Sequence, residues 1–181
     1  MFRDKTLIPT EAIRVLALGL IADRPRGYAE LAQELRRFIG LVLGPSLDML
    51  APSLELLRFE GLATANGGDG TGAGNPTEGD LAITAAGRAE LMSLLRANVR
   101  APINDTNRLV IALKFRFLHL LSPEEQRAQL ALLADLYETE RGRLEELRAQ
   151  DGGAAFAAWL DHEIALAGER IGWIKARPIE Q

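Results

Sequence analysis

The 181 residues include only two histidines, His119 and His162, and no cysteine, which leaves few groups for covalent or metal chemistry. Asp161 and Glu163 flank His162, and on a helix such neighbours point away from one another. No nucleophile stands beside a base with an orienting acid, so neither catalysis nor a metal or cofactor is expected. What remains is the chemistry of cations toward anions. Arg26, Arg36, Arg37 and Arg58 carry guanidinium groups, which meet phosphate oxygens through paired N–H donors. The bland alternative for each is a solvated helix face, since surface arginines are common.

These arginines belong to a run of short predicted elements. Ile13, Leu16, Ala17 and Leu20 recur at helical spacing, with Thr10 as a cap and Asp23 to Gly27 as the stop. A second helix follows in YAELAQELRRFI, with Leu31, Leu35 and Phe38 inward and Glu30, Glu34, Arg36 and Arg37 outward. A third begins near Asp48, with Leu47, Leu50, Leu54 and Leu57 inward and Pro52 in its first turn, where a missing N–H costs least. Gly61 sits where a left-handed residue would close it. Leu62 to Asn66 and Leu81 to Thr84 then read as paired strands. Three helices followed by a two-stranded β-wing is the winged helix-turn-helix order.

Between the strands, Gly67 to Gly79 is too rich in Gly, Asp, Asn and Thr to bury apolar surface, and it reads as a mobile tip. It contains no G-x-G-x-x-G and no glycine-lysine-serine/threonine, and no helix follows the glycines directly, which favours a linker over a nucleotide loop. GGDGTG approaches a calcium repeat but has Gly72 where that repeat needs aspartate, and it occurs once.

Thr84 caps the next helix, whose Leu91, Leu94 and Leu95 suit either helix 1 or a second subunit. Pro102 marks a boundary between a DNA-binding unit, residues 1–100, and a helical dimerisation unit, residues 101–181; the whole is mainly α. TNRLVIALKFRFLHLL reads as one apolar helix. Ser122, Pro123 and Glu125 then supply an N-cap, a first-turn proline and a capping-box carboxylate. Beyond them, Leu130, Leu133, Tyr137, Leu144 and Leu147, and then Phe156, Leu160, Ile164, Ala167, Ile171 and Ile174, recur at three-and-four spacing. Such coiled-coil patterning predicts a partner chain, with Leu130, Leu133, Tyr137, Leu144, Leu160, Ile164 and Ile171 in a homodimer seam.

Formal net charge is −4, so any nucleic-acid contact must come from a local basic patch. Residues 1–66 carry eight basic and eight acidic side chains, and Asp48 and Glu55 make the third helix acidic. A groove repels carboxylates, which argues for weak grip. No apolar run reaches the roughly 18 residues a membrane span requires, and Glu11 and Arg14 within the N-terminal helix argue against a signal peptide. Absent cysteine fits a reducing cytoplasm.

Gly27-Tyr28-Ala29-Glu30-Leu31, then Pro52-x-Leu54-x-x-Leu57 to Glu60-Gly61-Leu62, then Leu81-x-Ile83-Thr84-x-x-Gly87-Arg88 stand in an order that resembles the PadR family of bacterial transcriptional regulators. Leu113-x-Phe115-x-Phe117-Leu118 through Glu125 looks like the start of that family's C-terminal domain, and the long last helices resemble its AphA-like subgroup. The resemblance implies a homodimer that presents two winged helices to a palindromic operator in double-stranded DNA. One departure is Ala51, where members usually carry a tyrosine suited to a phosphate or base contact.

On this reading Ser46, Met49, Ser53 and Arg58 face bases from the third helix. Arg26, Arg36 and Arg37 neutralise phosphates, and Thr64 and Asn66 lie at the wing base. Phe115, Phe117, Trp159 and Trp173 are candidates to line a seam for a small hydrophobic effector, against the plainer reading as packing residues. The competing function is a winged-helix dimer with little DNA affinity that binds a protein or small ligand.

Overall fold

The computed structural model describes residues 9–43, 51–66, 79–99, 105–150 and 153–179. Helix α1, Pro9–Asp23, is the centre of the chain's apolar core. Its residues Ala12, Ile13 and Val15 to Leu20 other than Gly19 are at most 2% exposed, so it is buried around most of its circumference, with Glu11 and Arg14 on the part left partly open. A helix buried on so wide a face must be surrounded by others. Around it pack α2, Tyr28–Leu43; α3, Ala51–Phe59; α4, Ala85–Arg96; and α5, Asp105–Arg116. The helix opens one residue before Thr10, so Thr10 lies in its first turn.

The sheet has three strands where the sequence predicts two. β2, Ala63–Asn66, and β3, Asp80–Ile83, form the expected antiparallel pair, each about one residue from its predicted bounds. The addition is β1, Arg26–Gly27, which pairs with β3 through Arg26 opposite Leu81 and Gly27 opposite Asp80. The order β1-β3-β2 ties the turn after α1 to the hairpin. The expected tip at residues 67–78 lies outside the described residues, as do Leu47, Asp48 and Leu50.

Two local signals act as read. Gly61 has φ of +71°, the left-handed region, and Leu62 N–H donates to Leu57 O at 2.9 Å while Gly61 N–H donates to Arg58 O at 3.0 Å. That pair of bonds is a Schellman closure of α3. Thr84 caps α4, accepting from Gly87 N–H at 3.0 Å.

The predicted apolar helix through Leu121 is instead broken. α5 stops at Arg116, Phe117 leaves helical geometry (φ −112°, ψ 17°), and Leu118–Leu120 form a single 3-10 turn. Phe117 turns its ring into the core against Gly19 of α1. α6, Pro123–Gln150, then starts at the predicted capping box: Ser122 N–H donates to Glu125 Oε2 at 3.0 Å. Glu125 also accepts from Arg96 Nε at 2.7 Å, and these bonds hold its carboxyl below the usual carboxylate range.

α7, Ala154–Lys175, returns antiparallel along α6. Ion pairs mark the register, with Arg148 Nε to Asp161 Oδ1 at 2.8 Å near one end and Lys175 Nζ to Glu138 Oε1 at 2.6 Å near the other. Leu130, Leu133, Tyr137, Leu160 and Ile171 are buried within the single chain, Leu144 and Ile164 half-buried. Most of the stripe read as a seam between chains is thus already covered inside one protomer. The apolar side chains left outside on α6 and α7 are Leu147 and Phe156 of the predicted stripes, together with Leu132, Trp159 and Trp173 off them. Leu91, Leu94 and Leu95 settle on helix 1. α5, expected to open the second unit, packs on α1 and α2, so the described core takes in residues of both predicted units.

Candidate nucleic-acid interface

The site is built where α3 passes into β2. The Schellman closure reverses the chain at Gly61; Leu62 O receives the Thr84 N–H at 3.1 Å, and the Thr84 hydroxyl lies 2.7 Å from Gly61 O and 3.1 Å from Leu62 O. The two adjacent carbonyls of Gly61 and Leu62 therefore fasten the end of α3, the return of the hairpin and the start of α4. Arg14 of α1 adds a brace, pairing with Glu60 at 2.9 Å and Glu90 at 3.3 Å. A short helix beside an antiparallel hairpin is the outcome, with its outer face free of the core.

That face is mixed in chemistry. Leu54 and Leu57 are buried, whereas Leu56 is 46% and Phe59 90% exposed. Glu55, Arg58, Phe59, Ala63, Thr64 and Ala65 line an open groove of about 440 Å³ between α3 and β2. Arg58 lies there 3.7 Å from Glu55, so part of its charge is offset. Thr64 is exposed on the hairpin opposite Ala82. Asn66 ends β2 and Ser53 falls within α3, while Ser46 and Met49 lie outside the described residues.

The other arginines separate. Arg36 and Arg37 are exposed on the outer face of α2, as the helical spacing predicts, and neither pairs with a carboxylate among the described residues. Arg26 is engaged within the fold: its Nε donates to Leu20 O at 3.1 Å and its Nη1 to Glu30 at 2.9 Å. Strand pairing with Leu81 holds its backbone as well. It positions the turn rather than standing free to meet a phosphate.

The four candidate effector residues do not converge within one chain. Phe117 is fully buried beside Gly19, and Phe115 meets Trp173 edge-on at 5.0 Å. Trp159 stacks instead on Phe156 at 5.5 Å, fourteen residues from Trp173 along α7. His119 Nε2 lies 3.6 Å from Asp23, His162 is exposed, and no cluster of three metal-ligating side chains occurs among the described residues.

Two features were not anticipated. Phe59 and Leu56 were readable in principle, since they lie off the Leu54 and Leu57 stripe at helical spacing. The second is a buried polar network behind the hairpin. Lys114 is 3% exposed, and its Nζ donates to Leu95 O and to Gln129 Oε1, both at 2.7 Å. Gln129 Nε2 turns to Arg96 O at 3.4 Å. The network caps the last carbonyls of α4 from α5 and α6.

Burial lowers the Lys114 pKa from its ordinary 10.5 to about 8. The unfolded chain then holds this proton more tightly than the folded one, so stability rises with pH between the two values. The penalty is full below pH 8 and vanishes above 10.5. Its size is about 3 kcal/mol at one pKa unit per 1.36 kcal/mol. Urea unfolding at about pH 7 and about pH 10 is expected to show this gain in wild type relative to Lys114→Met. Equal pH dependence in both would contradict the assignment.

Together these features define a mainly helical protein with a small three-strand antiparallel sheet joined to the end of a short surface helix. The chain belongs to the family described as "Putative AphA-like transcriptional regulator", whose model matches residues 2–177. No curated protein matches it. Among solved structures it is similar to smu.1604c from Streptococcus mutans UA159, at 18% identity over 90% of this chain and 95% of that one. The TM-score is 0.39, too low to argue from. No helix among the described residues is long and apolar enough to cross a membrane.

Proposed function

We propose that this chain is a cytoplasmic winged helix-turn-helix regulator of the PadR type that binds double-stranded DNA as a homodimer on a palindromic operator. It acts by binding rather than by catalysis. Helix α3 enters the major groove, Arg36 and Arg37 of α2 neutralise flanking phosphates, and the β2–β3 hairpin serves as the wing. Residues 1–100 form the DNA-binding unit. The α6–α7 hairpin within residues 101–181 supplies the dimer surface, through Leu147, Phe156 and Trp159 left exposed on it. The observation that carries this reading is the fastening of α3, hairpin and α4 at one junction, where Thr84 bonds to the Gly61 and Leu62 carbonyls and leaves an open outer face on α3.

A specific observation favours a second reading, a winged-helix dimer that binds protein or a small hydrophobic ligand. The outer face of α3 offers Phe59 and Leu56, and its Arg58 is shared with Glu55. A groove filled with phosphates rewards cations rather than an exposed ring.

Changing Arg36 and Arg37 together to alanine separates the two. Each phosphate contact contributes about −0.9 to the slope of log affinity against log salt. The double variant is expected to bind operator about tenfold more weakly at moderate salt, with a slope shallower by about two. Fluorescence anisotropy at several salt concentrations measures both. An unchanged slope would remove these arginines from the interface.

A further inference from the structure

Lys114 is the one buried side chain with a formal charge among the described residues, and it borders a cleft between the end of α4, α5 and α6. The cleft has a volume of about 210 Å³. Two of the three ammonium N–H groups are used by Leu95 O and Gln129 Oε1, both uncharged acceptors. The Gln129 amide is fixed with its oxygen toward the ammonium, because its nitrogen donates to Arg96 O. No carboxylate among the described residues lies within 4.0 Å of Nζ. A buried charge without a counter-ion is costly, and a third donor is left to satisfy.

The remaining chemistry of the cleft selects what can supply that counter-ion. Val99, Leu132, Leu133 and Leu136 supply its apolar lining, all aliphatic and none aromatic, while Asn98 and Thr139 add neutral polar groups. Asp135 also borders it, which disfavours a second negative charge on any occupant. We propose that this cleft binds a short branched-chain monocarboxylate, its carboxylate on the Lys114 ammonium and its alkyl body against Val99, Leu132 and Leu136. The occupant joins the segment that follows α4 to α6, and its site is separate from the outer face of α3.

Calorimetric titration of the full chain without DNA tests this, using isovalerate and its neutral amide as probes. Isovalerate is expected to bind saturably with one site and isovaleramide at least about tenfold more weakly, since a charge-assisted bond is lost. Lys114→Met is expected to weaken isovalerate by a similar factor. Leu132→Trp fills the cleft from its exposed rim without touching the network, and is expected to abolish binding while the circular dichroism spectrum is kept. If Lys114→Met does not fold, Leu132→Trp decides. No binding of isovalerate, equal binding of acid and amide, or undiminished binding by Leu132→Trp would each overturn the proposal and leave Lys114 as a cap of α4 alone. Because no DNA is present, such a failure leaves the operator-binding reading standing.

Discussion

Gly87→Ala is expected to destabilise the chain by about 3 kcal/mol, lowering its melting temperature by roughly 10 °C. A Cβ at this position would stand 2.0 Å from Leu62 O and 2.9 Å from Leu62 C. Both atoms are backbone, so no side chain can swing aside. Relief requires the first turn of α4 to lift from the α3–β2 junction, and that movement stretches the bonds that Thr84 gives to Leu62 O and Gly61 O. The helix N-cap, which relies on Thr84 and Gly87 N–H, is strained by the same shift. Thermal unfolding followed by circular dichroism measures the effect. A variant that melts within about one degree of wild type would show that the junction yields easily, contrary to its tight geometry.

Gly19→Ala is expected to cost a similar amount, about 2–3 kcal/mol, through a different contact. An added Cβ would lie 2.4 to 2.6 Å from three ring atoms of Phe117. The ring is fully buried, which leaves it nowhere to withdraw. Here the obstacle is a side chain, so the strain is removable by shortening it. Phe117→Leu alone is expected to cost about 1–2 kcal/mol by loss of buried surface. In the Gly19→Ala background the same change is expected to cost nothing or to restore stability. A double-mutant cycle from urea unfolding gives the coupling directly, and simple additivity would contradict the ring-on-glycine packing.

What the sequence discloses and what it conceals follow from how local each interaction is. Gly61, Thr84 and the Ser122–Glu125 box were legible because each is satisfied by backbone groups within a few residues. The β1 strand was not, since Arg26 and Gly27 are held only by pairing with Leu81 and Asp80, more than fifty residues away. The break at Phe117 was concealed for a like reason: its cause is a packing contact with Gly19 across the core. An apolar run predicts burial but not where a ring must turn.

The candidate site divides along the same line. Exposure of Arg36 and Arg37 follows from helical spacing alone, while Arg26 is taken out of consideration by bonds to Leu20 and Glu30 that arise from the turn. Lys114 was illegible, because a lysine in an apolar helix reads as an outward residue. Only the position of α4 and α6 turns it inward, to Leu95 O and Gln129. Similarly, the apolar stripe of α6 identifies a surface that must be covered, and the return of α7 determines that most of it is covered by the same chain.

The most direct test of the regulator reading is a gel-shift of the purified full chain against the DNA upstream of its own coding sequence, at low and at moderate salt. Saturable binding is expected, competed by the same fragment and not by unrelated DNA, and weakened as salt rises. Absence of a shifted band at either salt, or a band that any duplex competes away equally, would contradict operator recognition and leave the exposed Phe59 and Leu56 face to another partner.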